Sequence, residues 1–529
     1  MHMVKLHLSL KQTIIAVTVA MACFLPPFIG DATNIALPNM LAGLGYPQGA
    51  LYWEMYGWIL TVYLLTSTVF LIPAARLADK YSKKFFFCLG VLLLGLGSLG
   101  IGLSPTGEWV IFMRSVEGLG NVLMFGTAIA LLSSAVEIEL RGTAIGIAMT
   151  GVFLGQLAGP LLAGVLTDFF GWQAVYMILC PIALVSLFLA VMFVPGDRVT
   201  DTGRYDSVGA LLFIAGLSMA LYGFSKLPDM TALFVLIAGL VILAGFTVLE
   251  RRNSNPIMPI DLILKNRRFS FNNGANLLYY VAIYSMGSLI SIFLTNVWGI
   301  TDALPRAIVV TTQALVLVLF TIFVGRFYDH LLPGKFLVPG LCVGVLGLIY
   351  ACFAGAEMPG VEWLTSACIA ATISAVGFGV LLLNLIDRFI KSVTPRYGTV
   401  TGLAIIAAGF LVLYTCGVAV ELWKMILVEA LFGVGIAIFV TPNSTAIMDS
   451  VTETEYSMAS GTLSTTRMLG MAVSIGIVAI MKNIFLSDIQ DAGVDDALVM
   501  MNGAVTASIF VILIAIVLSW AAETKGKSA

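Results

Sequence analysis

The chain has 529 residues, 60% of them hydrophobic and only 11% charged, with a mean hydropathy of +1.02 and a formal net charge of −2. Such totals exclude a soluble domain, and no basic tract stands out that would bind nucleic acid. Apolar runs of about 20 residues recur while short alternating segments do not, so an all-α membrane protein is expected rather than a β-barrel.

In chain order, hydropathy marks sixteen candidate spans: six between residues 11 and 194, two between 207 and 249, and eight between 269 and 520. The polar breaks at 194–206 and 250–268 divide the chain into an N-terminal six-helix bundle at 1–196, a linker helix pair with its flanking loops at 197–268, and a C-terminal block at 269–529. The loops between spans are too short to fold alone. The first apolar run passes residue 37 without a small-residue cleavage signature and reads as a retained first helix.

An even number of spans puts both termini on one side. On this map that side collects 21 of the 27 Lys and Arg residues, the other side keeps Lys226, Arg306, Lys424 and Lys482, and Arg114 and Arg467 lie within spans. By the positive-inside rule both ends are expected in the cytoplasm of a multi-pass inner-membrane protein. Seven cysteines lie in or beside apolar segments without metal-type spacing and read as small packing residues. His2, His7 and His330 fall at the terminus and in a loop, so no metal and no imidazole relay is indicated.

The first span ends in Asp31-Ala-Thr-Asn34-Ile-Ala-Leu37-Pro38, and the second contains Trp58-Ile-Leu-Thr61-Val-Tyr63 before the loop Ala75-Arg76-Leu-Ala-Asp79-Lys-Tyr-Ser-Lys83-Lys84. A carboxylate at a helix end followed by a basic cluster can hold two neighbouring helix ends together, although a basic loop that only sets topology reads the same way. The fourth span carries Arg114 and Glu117, three residues apart and so on one helix face. Charges at membrane depth mark a pathway, a relay or a paired lock. The fifth span, Gly151 to Gly164, repeats glycine at Gly151, Gly155 and Gly159 before Pro160. That is a smooth stripe for close helix approach, with a bend at the proline.

Together these residues resemble the major facilitator superfamily and, within it, the fourteen-helix drug:proton antiporters. Residues 75–84 are similar to the family loop Gly-x-Leu-Ala-Asp-Arg-x-Gly-Arg-Lys, with Asp79 the secure match, and Arg114-x-x-Glu117-Gly118-x-Gly120 is similar to Arg-x-x-Gln-Gly-x-Gly, with glutamate in place of glutamine. Gly151 to Gly164, followed by Gly171-Trp172-Gln-Ala-Val-Tyr, resembles the antiporter element of the fifth helix, and the resemblance implies export. Residues 205–259 resemble the linker helices of the fourteen-helix branch, and Phe432 to Pro442 with Ser460 to Arg467 its tenth and eleventh core helices.

Two departures stand out. The first-helix motif is two residues shorter than in the family, so Ile29 takes the usual acidic position and Asp31 lies about 200° further round the helix. Gly325 to Asp329 and Leu385 to Arg388 with Thr394 both look like the loop that opens the third helix of the second half, which makes one helix pair within about 303–394 surplus. The expected architecture is therefore a major facilitator fold: two six-helix bundles, two linker helices and one surplus pair, about 16 spans in all.

For coupling, the membrane-depth carboxylates are Asp31, Glu117 and Glu429. In a partly dry cavity such a group exchanges protons near neutral pH, so a proton and a cationic substrate can compete for it. Glu117 reads equally well as the structural counter-ion of Arg114; Glu429 has no basic residue within one turn, Lys424 being five residues back. Arg76, Asp79, Lys83, Arg114, Gly155, Gly159, Pro160 and Arg467 are candidate structural or gating residues, with Arg467 expected to meet an acid across its bundle. Trp58, Tyr63, Tyr280, Tyr284 and Met286 are candidate cavity residues, though such side chains more often face lipid.

No nucleophile with a base, metal cluster or nucleotide loop indicates an enzyme. The expectation is a monomeric secondary transporter that uses protons as coupling ion and no cofactor. It would export small amphipathic or cationic compounds by alternating access, with an exporter or flippase of an endogenous lipid or metabolite as the alternative.

Overall fold

The computed structural model describes residues 8–47, 49–137, 140–196, 205–253, 256–258, 260–328, 395–417, 422–452, 456–485 and 494–522. Among these residues there are helices and no strands. They form two compact units, Met1–Ile260 and Asp261–Ala529.

The first unit holds α1 (Leu10–Gly43), α2 (Ala50–Lys80), α3 (Lys83–Gly102), α4 (Gly107–Ala135), α5 (Arg141–Phe170), α6 (Trp172–Met177), α7 (Leu179–Phe193), α8 (Ser207–Ser225) and α9 (Met230–Glu250). Polar side chains start them where the chain leaves a loop. Ser9 and Gln12 form a capping box on α1, and Ser82, Thr106 and Asp206 accept amide protons at the starts of α3, α4 and α8. Between α5 and α6 the chain turns on Gly171, at a φ of 85° that a side chain would strain. Helix α1 lies along α5 and α7, α3 and α2 both pack on α4, and α8 pairs with α9.

Across the unit boundary runs α10 (Ile260–Lys265), and the second unit continues with α11 (Arg267–Ile283), α12 (Met286–Asn296), α13 (Ala303–Tyr328), α14 (Pro395–Tyr414), α15 (Leu422–Met448), α16 (Tyr456–Phe485) and α17 (Val494–Ala522). Here α14 and α13 pack on α15, while α11 is bordered by α15, α16 and α17.

Thirteen of the described stretches are long and apolar enough to cross a membrane, and Ala303–Leu319 of α13 is a shorter apolar helix. These correspond to fourteen of the sixteen segments expected from hydropathy. The segments at 336–354 and 361–386, with Asp329, Asp387, Arg388 and Thr394, lie outside the described residues, and so does most of the surplus pair. Two expected single spans are each built from two helices: α6 with α7, which meet at Ile178, and α11 with α12, which meet at Tyr284 and Ser285.

Candidate functional site

Helix α4 places Arg114 and Glu117 on one face one turn apart, and both are buried, at 1% and 0% exposure. Arg114 Nη1 donates to Glu117 Oε2 at 2.9 Å, and Ser98 Oγ of α3 donates to Glu117 Oε1 at 2.7 Å. Arg114 Nε donates to the Ile59 carbonyl of α2 at 3.2 Å, and the guanidinium lies 4.6 Å from the centre of the Tyr63 ring. Tyr176 of α6 adjoins the pair and shares a 2.9 Å hydrogen bond with Thr33 of α1. Four helices thus meet on one ion pair, and α1 joins them through Thr33. Both oxygens of Glu117 are occupied, an arrangement that fixes helix positions and resists the loss of either partner.

Asp31 is placed differently. It is partly exposed on α1, makes no ion pair among the described residues, and its Cβ lies 3.3 Å from where a Cβ on Gly159 would stand. The glycine stripe of α5 is what brings it there. A methyl on Gly151 or Gly155 would run into the carbonyl oxygens of Ala20 or Phe24, and one on Gly159 would sit 3.0 Å from that of Phe28. Only bare backbone lets α1 approach α5 this closely. Helix α5 continues through Pro160, and Ile29, at the family's usual acidic register, is buried.

At the end of α2 the loop motif divides into two interactions. Asp79 pairs with Lys83 at 3.1 Å, one turn on and partly in solvent. Arg76 instead reaches the segment that follows the linker helices, donating through Nη2 to the Pro256 carbonyl at 2.7 Å and through Nε to that of Ile257 at 3.3 Å. Glu250 Oε1 accepts the Met258 amide at 2.8 Å, and Asn253 donates to Asp206 at 2.7 Å. Tyr205 donates to the Pro73 carbonyl at 3.4 Å; burial, with Asp206 beside it, holds its hydroxyl above the ordinary phenol value, so it stays a donor. The linker pair is clamped to the second helix at this end. The role of Glu250 needed the fold.

In the second unit Glu429 is fully buried on α15, beside the apolar packing of Val316, Ala430, Val434 and Ile438. Arg467 on α16 directs its guanidinium to the Tyr280 hydroxyl of α11, where an acidic partner was expected. The candidate cavity residues divide between the two units. Trp58 stacks on Tyr222 of α8 at 5.8 Å with Lys226 over its ring, Tyr63 packs under Arg114, Met286 is buried, and Tyr280 and Tyr284 are partly exposed. Among the described residues no group of three His, Cys, Asp or Glu side chains is placed to hold a metal ion.

A multi-pass helical membrane protein, with a charged lock inside its first unit and a glycine-packed helix pair carrying a half-exposed acid, has the makings of a secondary transporter. Comparison with known proteins assigns the family. Residues 13–386 match the family model of the Major Facilitator Superfamily, and the chain belongs to that superfamily, whose members move small molecules across membranes. It is 29% identical over 379 residues to the multidrug resistance protein Stp of Mycobacterium tuberculosis, a match covering 70% of this chain and 68% of that one. It is 30% identical over 252 residues to the tetracenomycin C resistance and export protein of Streptomyces glaucescens, covering 46% of each. The crystal structure of the POT family transporter PepTSo shares the fold, with a TM-score of 0.59 at 14% identity over 96% of this chain and 98% of that one.

Proposed function

We propose that the protein exports small amphipathic or cationic organic compounds in exchange for protons, with Asp31 as the coupling carboxylate. The observation that carries this reading is the position of Asp31, a half-buried acid against Gly159 with no ion pair among the described residues. Such a group can take a proton or hold a cation, but not both, and that competition is the basis of exchange. Glu117 fits the role less well, because Ser98 and Arg114 already fill its two oxygens. Glu429, wholly buried, is the second candidate.

Export is supported by the Gly155 to Pro160 element and by relatives described as resistance and export proteins. The charge asymmetry of the loops supports an inner-membrane location with both termini in the cytoplasm.

The test is flux in proteoliposomes under an imposed pH gradient, with tetraphenylphosphonium and other lipophilic cations as substrates. Asp31→Asn should abolish gradient-driven flux and Asp31→Glu should keep part of it. Undiminished gradient-driven flux in Asp31→Asn would remove Asp31 from the mechanism, and no gradient-dependent flux of any compound in wild-type protein would remove the export reading.

A further inference from the structure

Helix α11 opens with an unusual set of polar side chains for a buried helix: Asn272, Asn273 and Asn276, at 2%, 4% and 4% exposure, and Asn443 of α15 is also buried, at 0%. Contacts on either side fix how these meet. The Tyr279 and Phe439 rings lie 4.7 Å apart, and ten residues earlier on α11 Phe269 packs with Ile447 in one apolar cluster. The stretch 269–279 therefore runs alongside 439–447. On α15, Phe439, Asn443 and Ile447 recur every four residues and share one face; on α11, Phe269, Asn272, Asn276 and Tyr279 share another. Asn443 thus faces α11 at the level of its asparagines, in a polar layer bounded at both ends by apolar contacts.

The layer is incompletely satisfied. Asn276 donates to Thr466 Oγ1 at 3.1 Å and Asn273 to the Phe269 carbonyl at 2.9 Å. Among the described residues the carboxamide oxygen and nitrogen of Asn443, the nitrogen of Asn272 and the oxygen of Asn273 have no hydrogen-bond partner. Buried polar atoms are almost always paired, and leaving several together without partners is costly. Groups outside the described residues are needed to complete them.

We infer that the asparagine layer between α11 and α15 is a binding site for the polar edge of an uncharged transported molecule, one that presents a hydrogen-bond donor and acceptor side by side, as an imide, lactam or amide does. A carboxamide offers one acceptor and two donors and carries no charge. It complements such an edge and does nothing to offset a buried charge, so a cation is disfavoured there. Arg467, directed to Tyr280, adds no negative partner for a cation. The Tyr279 and Phe439 rings at one end suit the apolar body of the same molecule. This inference rests on the export reading, since the occupant is taken to be cargo, and it extends that reading to the uncharged members of the amphipathic class.

The experiment uses the full chain in nanodiscs with lumiflavin, an uncharged tricyclic imide followed by its own fluorescence, and its N3-methyl derivative, which lacks the imide donor. Wild-type protein is expected to bind lumiflavin about tenfold more tightly than the methylated compound, the worth of one well-made hydrogen bond. Asn443→Leu, and separately Asn272→Leu on the facing helix, should erase that difference. Using both helices guards against one variant that fails to fold. Equal binding of the two compounds by wild-type protein, or lumiflavin binding unaltered in both variants, overturns the proposal. Unaltered binding with a raised melting temperature would show a layer that holds water only. Discriminating lumiflavin binding without any gradient-driven flux of lipophilic cations would count against proton-coupled export and for the site.

Discussion

Arg114 and Glu117 stand one turn apart inside α4, and the 2.9 Å contact between them is completed by donors and acceptors from neighbouring helices. Glu117→Gln keeps the shape but strips the counter-charge from a guanidinium with nowhere to go. Breaking a buried pair of this kind costs about 3–5 kcal/mol. The expected outcome is a lowered melting temperature in detergent, and a double replacement of Arg114 and Glu117 by glutamine less damaging than the two single losses added together. A variant as stable as wild type that had lost only gradient-driven flux would instead make Glu117 a coupling group.

The packing of α1 on α5 makes a graded prediction. A methyl at Gly151 falls onto the Ala20 carbonyl, one at Gly155 onto that of Phe24, and one at Gly159 stops 3.0 Å from that of Phe28 and 3.3 Å from Asp31 Cβ. Alanine at Gly151 and Gly155 must push the helices apart, a strain of about 1–3 kcal/mol. At Gly159 the neighbours need to yield only slightly, so stability should fall least there while flux falls because Asp31 is displaced. Melting temperatures and flux of the three variants give the order, and equal losses at all three positions would contradict it.

What could be read from the chain depended on how far apart the partners lie. The Arg114 and Glu117 pair and the glycine stripe are local patterns, fixed by helical spacing before any fold is known. Ser98, Tyr176 and the Ile59 carbonyl join the pair from other helices, and nothing in their own neighbourhoods marks them. The same holds for Asp31, whose neighbour Gly159 is found only when α5 is laid beside α1. Hydropathy found spans but not their breaks at Ile178 and Tyr284, because a short break inside an apolar run leaves no mark on its polarity. The asparagines of α11 and α15, some 170 positions apart, become a layer only when the two helices pack.

The clamp on the linker separates charge bonded to backbone carbonyls from charge paired with another side chain. Arg76 donates to two backbone carbonyls, and hydrogen bonds to charged groups are worth about 1.5–3 kcal/mol. Arg76→Ala should therefore speed amide hydrogen exchange at 256–258 and at the end of α9, with flux altered more than overall stability. Lys83→Ala and Lys226→Ala remove pairs with Asp79 and Glu54 that lie partly in solvent, each worth about 0–1 kcal/mol. Exchange at 256–258 should not change in either. If it quickens as much as in Arg76→Ala, the clamp is not specific to Arg76.

Arg306 shows the limit of counting charges by loop. Its position near the start of a span suggested an outer loop residue, yet in the structure it is fully buried in the first turn of α13. The guanidinium gathers the turn before it, with Nε on the Asp302 carbonyl at 3.1 Å, Nη2 on that of Thr301 at 3.2 Å and Nη1 on Ser291 Oγ of α12 at 3.4 Å. A planar fork reaches three acceptors in different directions, whereas a lysine ammonium is a single point on a flexible stem. Arg306→Lys is therefore expected to destabilise the second unit by about 1–3 kcal/mol despite keeping the charge, and Arg306→Leu, which removes all three donors, by at least as much. Hydrogen exchange across 297–304 should rise in both variants. A lysine variant with wild-type melting temperature and exchange would show that charge alone suffices, and that the three-way geometry at this helix start is incidental.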